Sequence, residues 1–134
     1  MLCSKELPQL LEDEGFRSKP YQDTLDVWTI GHGLTFLTEE ESRYIVEFFR
    51  LPHVEKVLMQ QQPWLETAHP EVRKVLINMA YQLGHKGLSG FKGMITALVC
   101  LDYHRAADEM IDSRWYRQTP NRAKRLADRI RAIS

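Results

Sequence analysis

Apolar residues recur at helical spacing along most of the chain, and the pattern fails only in a stretch near the start. Leu7, Leu10 and Leu11 share one helical face. Pro8 suits a first turn and Gly15 the position just past a helix end, so a helix is predicted from near Leu7 to Glu14. Residues 17–21 and 27–30 then read as short extended runs joined by a turn containing Asp23 and Asp26. Gly31 and Gly33 flank His32, which points to an unusual backbone or a close approach there. Thr38 and Glu41 form a capping box and restart the helical pattern, with Tyr44, Ile45, Phe48 and Phe49 on one face until Pro52 breaks or kinks it. A short helix with Val54, Val57 and Leu58 leads to Pro63. The strongest helix begins at Pro70, carries Val72, Val75, Leu76, Met79, Ala80 and Leu83 on one stripe, and is expected to end at Gly84. Phe91, Met94, Ile95, Leu98 and Val99 repeat the stripe. Asp102 caps the next helix, and Thr119-Pro120 opens a last one buried through Leu126, Ile130 and Ile133.

The predicted architecture is α+β and predominantly α: a helical body with a small β-hairpin lobe after its first helix. Residues 1–134 read as a single domain. Within it, 15–37 form the β-lobe, 38–60 connecting helices, and 61–134 with helix 5–14 the helical lobe.

Composition changes this picture little. The 43% apolar and 27% charged residues are those of an ordinary globular chain, and 18 basic residues balance 18 acidic ones. With no global field, neither nucleic acid nor a membrane surface is an expected partner. Basic residues crowd between Arg114 and Arg131, either as a solvated helix face or as a basic wall beside an anionic substrate. Cys3 and Cys100 lack metal-ligand spacing and read as reduced thiols, with a disulfide as the alternative. Residues 1–12 hold no apolar run of signal-peptide or membrane-span length, so synthesis in a cytoplasm is expected. No stable membrane insertion is expected. The five histidines form no metal motif, and Asp23 with Asp26 offers too few oxygens for calcium; neither a metal nor a cofactor is expected.

The candidate chemistry lies in one short stretch. Glu14 ends the first helix, Asp23 sits nine positions later in the hairpin turn, and Thr29 follows on the returning strand. Glycoside hydrolysis asks for a protonated carboxyl to meet the leaving oxygen and a second carboxylate to handle water. A helix end facing a hairpin can hold such a pair roughly 6.5–9.5 Å apart, with room for one water. Spacing alone leaves the other reading open, that both acids are surface decoration.

The string around the pair decides the reading. Glu14-Gly15-Phe16-Arg17, Tyr21-Gln22-Asp23-Thr24 and Trp28-Thr29-Ile30-Gly31-His32-Gly33 closely resemble the T-even-type phage lysozymes (endolysins, muramidases) of glycoside hydrolase family 24. Two further stretches resemble the same family in the same order. The first is Leu76-Ile77-Asn78-Met79 with Gln82, Gly84, Gly87, Gly90 and Phe91; the second is Ser113-Arg114-Trp115-Tyr116 with Gln118-Thr119-Pro120-Asn121-Arg122. The likeness covers roughly residues 5 to 131.

The resemblance implies a lysozyme-like fold and hydrolysis of the β-1,4 bond between N-acetylmuramic acid and N-acetylglucosamine, with inversion. It implies Glu14 as general acid, Asp23 as the carboxylate that positions water, Thr29 as a hydroxyl that helps hold it, and Arg122 as the partner of Glu14. Tyr81, Gln82 and Thr119 resemble substrate contacts, although plain packing is the other reading of Tyr81. The implied partner is the peptidoglycan strand and the implied state a monomer. Action falls in the periplasm or cell wall after release from the host cytoplasm by a separate holin.

The sequence departs from the family in a shortened β-lobe, since Gly33-Leu34-Thr35 runs almost at once into Thr38. Leu34 and Phe49 stand where the family often has a His and an Asp, Pro52 interrupts the connecting helix, and the chain stops soon after Arg131. Two alternatives therefore stay open. One is a lytic transglycosylase using the same site; the other is a catalytically weak peptidoglycan-binding module.

Overall fold

The computed structural model describes residues 2–133, and for residues 2 and 3 the backbone only. The architecture is predominantly α with one small antiparallel sheet, as the hydrophobic pattern predicts. The chain divides into two compact units, Met1–Ile45 and Val46–Ser134. The division falls inside the segment 38–60 that the sequence reads as connecting helices.

The first unit opens with α1 (Leu2–Lys5), which the sequence did not predict, and α2 (Leu7–Glu14). Gly15, at φ +65°, closes α2 by donating its N–H to the Leu11 carbonyl. Strands β1 (Arg17–Gln22) and β2 (Trp28–Gly31) pair antiparallel, with Tyr21 opposite Thr29 and Gln22 opposite Trp28. Their register slips between Arg17 and Tyr21, where Pro20 has no N–H to give the ladder. The unit ends in α3 (Glu39–Ile45). Its capping box forms in both directions: Glu41 N–H donates to the Thr38 hydroxyl, and Thr38 N–H to the Glu41 carboxylate. The Thr38 backbone N–H, and after it the Thr38 hydroxyl, hold the Glu41 carboxyl below the usual carboxylate range.

In the second unit a π-helical turn, Val46–Arg50, leads into α4 (Leu51–Gln61). The interruption expected at Pro52 is present: the regular helix gives way to the widened turn just before it, and Pro52 sits in the first turn of α4. An α-helix would need the N–H that Pro52 lacks, and the wider turn absorbs the mismatch. A 3₁₀ turn (Pro63–Glu66) precedes α5 (Pro70–Ser89), followed by α6 (Lys92–Val99), α7 (Tyr103–Ile111), α8 (Arg114–Gln118) and α9 (Pro120–Arg131). The predicted stop at Gly84 is present: at φ +75° and ψ 164° it leaves the helical conformation, and a further helical stretch follows across the kink to Ser89. One expectation is corrected here. Thr119 does not cap α9 with its side chain, because its hydroxyl donates back to the Trp115 carbonyl and closes α8. Asp102 does cap α7, accepting from Arg105 N–H at 3.1 Å.

The core of this unit is the predicted stripe of α5 (Val72, Val75, Leu76, Met79) packed with residues of α6, α7 and α9 such as Met94, Met110 and Ile130. Tyr44, Phe48 and Phe49, which helical spacing puts on one face, are all exposed. The basic run of α9 is partly neutralised: Lys124 pairs with Asp128 (2.7 Å), Arg131 with Asp108 (2.8 Å) and Arg129 with Glu71. Cys100 is a free, exposed thiol, and the Cys3 side chain lies outside the described residues.

Candidate active site

The first unit carries all three residues of the predicted catalytic set. Glu14 is the last residue of α2, whose final turn also holds Glu12 and Asp13 and no basic residue. That is the end where the helix dipole is negative, so three carboxylates there oppose the local electrostatics. The chain then turns through the hairpin and comes back to Glu14. Ile30 and Leu34 exchange both backbone bonds (2.8 and 2.9 Å), closing a three-residue loop of Gly31, His32 and Gly33. Gly33 lies directly against the Glu14 carboxyl. A Cβ at Gly33 would meet Glu14 Oε2 and stand 2.9 Å from Glu14 Cδ, and its φ of +75° is itself a glycine conformation. The close approach expected at the glycine pair is therefore an approach to a candidate catalytic group. Beside it the His32 ring stacks obliquely on Phe16, 5.3 Å between centroids.

Asp23 is fixed by the turn that it builds. Its Oδ1 accepts the N–H groups of Leu25 (2.8 Å) and Val27 (2.9 Å), and its own N–H donates to the Val27 carbonyl (2.9 Å). This Asx-type geometry spends one carboxylate oxygen on the backbone. The other, Oδ2, has no protein partner among the described residues. Asp26, at φ +62°, takes the left-handed position of the turn, which an Asp tolerates. Thr29 is the one buried residue among those described in the first unit, at 5% exposure. Its hydroxyl donates to the Val27 carbonyl at 3.0 Å, so it can only accept from anything else.

The second unit carries the remaining four predicted residues. Arg122, in the first turn of α9, is clamped by Asn78 of α5: Nε and Nη2 donate to Asn78 Oδ1 at 3.0 and 2.7 Å, and Nη2 also donates to the Asn78 carbonyl at 3.2 Å. Sequence reasoning placed Asn78 in a motif without giving it a role. The available signal was a polar residue beside the apolar stripe of a core helix. Gln82 accepts from the Trp115 indole N–H at 2.9 Å, which orients its amide and ties α5 to α8. Tyr81 is exposed on α5. Thr119 has its hydroxyl committed to Trp115.

No three His, Cys, Asp or Glu side chains come together as metal ligands among the described residues. Among the same residues no helix is long and apolar enough to cross a membrane. The arrangement can supply one carboxyl at a helix end, a second carboxylate with a free oxygen, and a hydroxyl that accepts.

Residues 11–132 match the family described as phage lysozyme. Over 51 residues the chain is 43% identical to the pre-baseplate central spike protein Gp5 of Enterobacteria phage T4. That stretch makes up 38% of this chain and 9% of the relative, so the chain matches only a small part of that protein's length.

Proposed function

Since the chain belongs to the phage lysozyme family, we propose that it degrades bacterial cell wall as a glycoside hydrolase. It cuts the β-1,4 bond between N-acetylmuramic acid and N-acetylglucosamine in peptidoglycan. The observation that carries this reading is the Glu14 carboxyl seated on Gly33, in the same small unit as an Asp23 whose second oxygen is uncommitted.

Glu14 gives its proton to the glycosidic oxygen as the bond to the anomeric carbon breaks. A water attacks that carbon from the other side of the ring and loses a proton to Asp23 Oδ2. The second hydrogen of the water is held by the Thr29 hydroxyl, which has an acceptor lone pair to offer because its own proton goes to Val27. Attack opposite the leaving group inverts the configuration, so the β-linked strand is released first as the α-anomer. Arg122, whose guanidinium Asn78 orients, is assigned the supporting role to the general acid. Tyr81, Gln82 and Thr119 contact the substrate.

A zymogram on purified peptidoglycan, paired with mass spectrometry of the products, tests the reading. Wild-type protein is expected to clear the gel and release reducing ends, and Glu14→Gln to give no clearing. Anhydro ends would instead identify a lytic transglycosylase. Binding without clearing by the wild type would reduce the protein to a wall-binding module.

We place synthesis in the host cytoplasm and action at the wall as a monomer, after release by a separate holin. The relative Gp5 is by name a spike protein of a phage pre-baseplate, which favours delivery on a particle as the second reading. Lysis of expressing cells only when a holin is co-expressed supports the first route. Recovery of the chain in purified particles supports the second.

A further inference from the structure

Two residues of the motif around the proposed catalytic set, Arg17 and Tyr21, take no part in the chemistry above. They meet each other. The Arg17 guanidinium lies over the Tyr21 ring, 4.8 Å from its centroid. Acidic residues outnumber basic ones nine to four in residues 1–45, yet Arg17 makes no hydrogen bond or ion pair with the described residues. The ring, not a carboxylate, is what it holds. This contact spans the irregular part of the sheet. Arg17 pairs with Gly31 and Tyr21 with Thr29, so five residues of β1 stand against three of β2 and the ladder slips between them. Pro20, inside that stretch, has no N–H to steady it. The slip lies between the two ends of the proposed site. At one end Gly31 opens the loop whose Gly33 seats Glu14. At the other, Tyr21 lies opposite Thr29 and two residues before Asp23. A bulged strand re-aims the side chains beside it, and a short ladder without a regular register is free to slide.

We infer that Arg17 and Tyr21 are a positioning pair: their stacked contact bridges the bulge and keeps β1 in the register that sets Asp23 and Thr29 against the Glu14 seat. Arg17 acts through Tyr21, and Tyr21 through its place opposite Thr29; neither touches substrate. A guanidinium suits this task, being planar, always charged and able to lie flat on a ring. The Tyr21 ring supplies a face, so its hydroxyl is dispensable. This inference rests on the glycan-cleaving reading above and deepens it, by naming what holds the two ends of the site in step. Enzyme whose register has slipped still binds the strand but reacts rarely. Loss of the contact therefore falls on kcat and spares KM.

Steady-state turnover of soluble peptidoglycan strands tests the pair. Arg17→Met keeps the length of the side chain without its charge, and Tyr21→Leu removes the ring. Each is expected to lower kcat about threefold, the scale of one exposed cation–π contact, with KM unchanged. The double variant should fall no further, because both substitutions remove the same contact. Arg17→Lys and Tyr21→Phe keep a cation and a ring and should stay close to wild type. A raised KM at unchanged kcat in Arg17→Met would make Arg17 a substrate contact and overturn the inference, and so would losses that multiply in the double variant. Amide hydrogen exchange at Leu25 and Val27, whose N–H groups Asp23 accepts, gives a readout independent of activity. It should quicken in Arg17→Met, where the Asp23 turn opens more often. Unchanged exchange there overturns the inference whatever the activity. Wild type that cuts no strand would sink the glycan reading alone, and the exchange rates would still decide whether the pair holds the turn.

Discussion

Among residues 4–45, Leu7, Leu10, Phe16, Leu25 and Phe36 are each at least half exposed, and Thr29 is the one buried residue described. In residues 46–133, Leu65, Val75, Leu76 and Met79 are all at 0%. The two units share helical or strand patterning of similar quality, so periodicity does not explain the difference. Size does. Two short strands and three short helices offer too little surface to enclose one another, whereas six helices of the second unit wrap a continuous core. The unit with the thinner core holds all the proposed acid and base groups, and local contacts fix them: the Asp23 turn, the Thr29 hydroxyl and the Gly33 seat. Precision at a site does not require a thick core behind it when backbone hydrogen bonds hold the groups directly.

The widest separation between the units comes from Glu14→Gln. Activity on peptidoglycan is expected to drop at least about 1,000-fold, some 4 kcal/mol of transition-state stabilisation. The thermal midpoint should stay level or rise, because a carboxylate leaves the crowded negative end of α2. Asp23→Asn follows, with a loss of several orders of magnitude in rate; a loss below about tenfold would move the water-activating role elsewhere. In the second unit the order of effects reverses. Leu76→Ala should cost about 2–5 kcal/mol in urea unfolding, whereas Leu10→Ala in the first unit should cost under about 1 kcal/mol. Equal costs would show that the first unit buries α2 after all.

How much of this was legible beforehand follows from the range of each interaction. Local signals read well: Gly15 closing α2, the Thr38–Glu41 box, the Asp102 cap and the α5 stripe all lie within a few residues of the features they set. The capping role expected of Thr119 failed because its hydroxyl had a nearer carbonyl on the preceding helix. Gly84 does interrupt α5 where the sequence places its end; the helical stretch that follows it to Ser89 was the part not read. The partners of the site were less legible. Gly33 on Glu14 is a contact between residues 19 apart, and Asn78 on Arg122 joins residues 44 apart. Spacing within one element cannot announce either. The family motif, by contrast, pointed to Glu14, Asp23 and Thr29 together before any coordinates.

Gly33→Ala sharpens the comparison at smaller scale. The added methyl collides with the Glu14 carboxyl at a strained φ, so a loss of about 1–2 kcal/mol in stability should accompany at least a tenfold drop in kcat. A drop in stability without one in kcat would detach the seat from catalysis. The smallest effect concerns acid. Arg129 holds Glu71 below the usual carboxylate range, so this pair's stabilisation is present above that range and is lost as pH falls through the lowered value. Glu71→Gln should therefore flatten the fall of the thermal midpoint between neutral and acidic pH, and an unaltered slope would assign that fall to other carboxylates.

The most direct test of the central claim is proton NMR of the sugar released in the first minutes of digestion, before the anomers equilibrate. One carboxyl protonating and another activating water across the ring predicts the α-anomer first, and no product from Glu14→Gln. A β-anomer first, an anhydro product, or normal turnover by Glu14→Gln would contradict it.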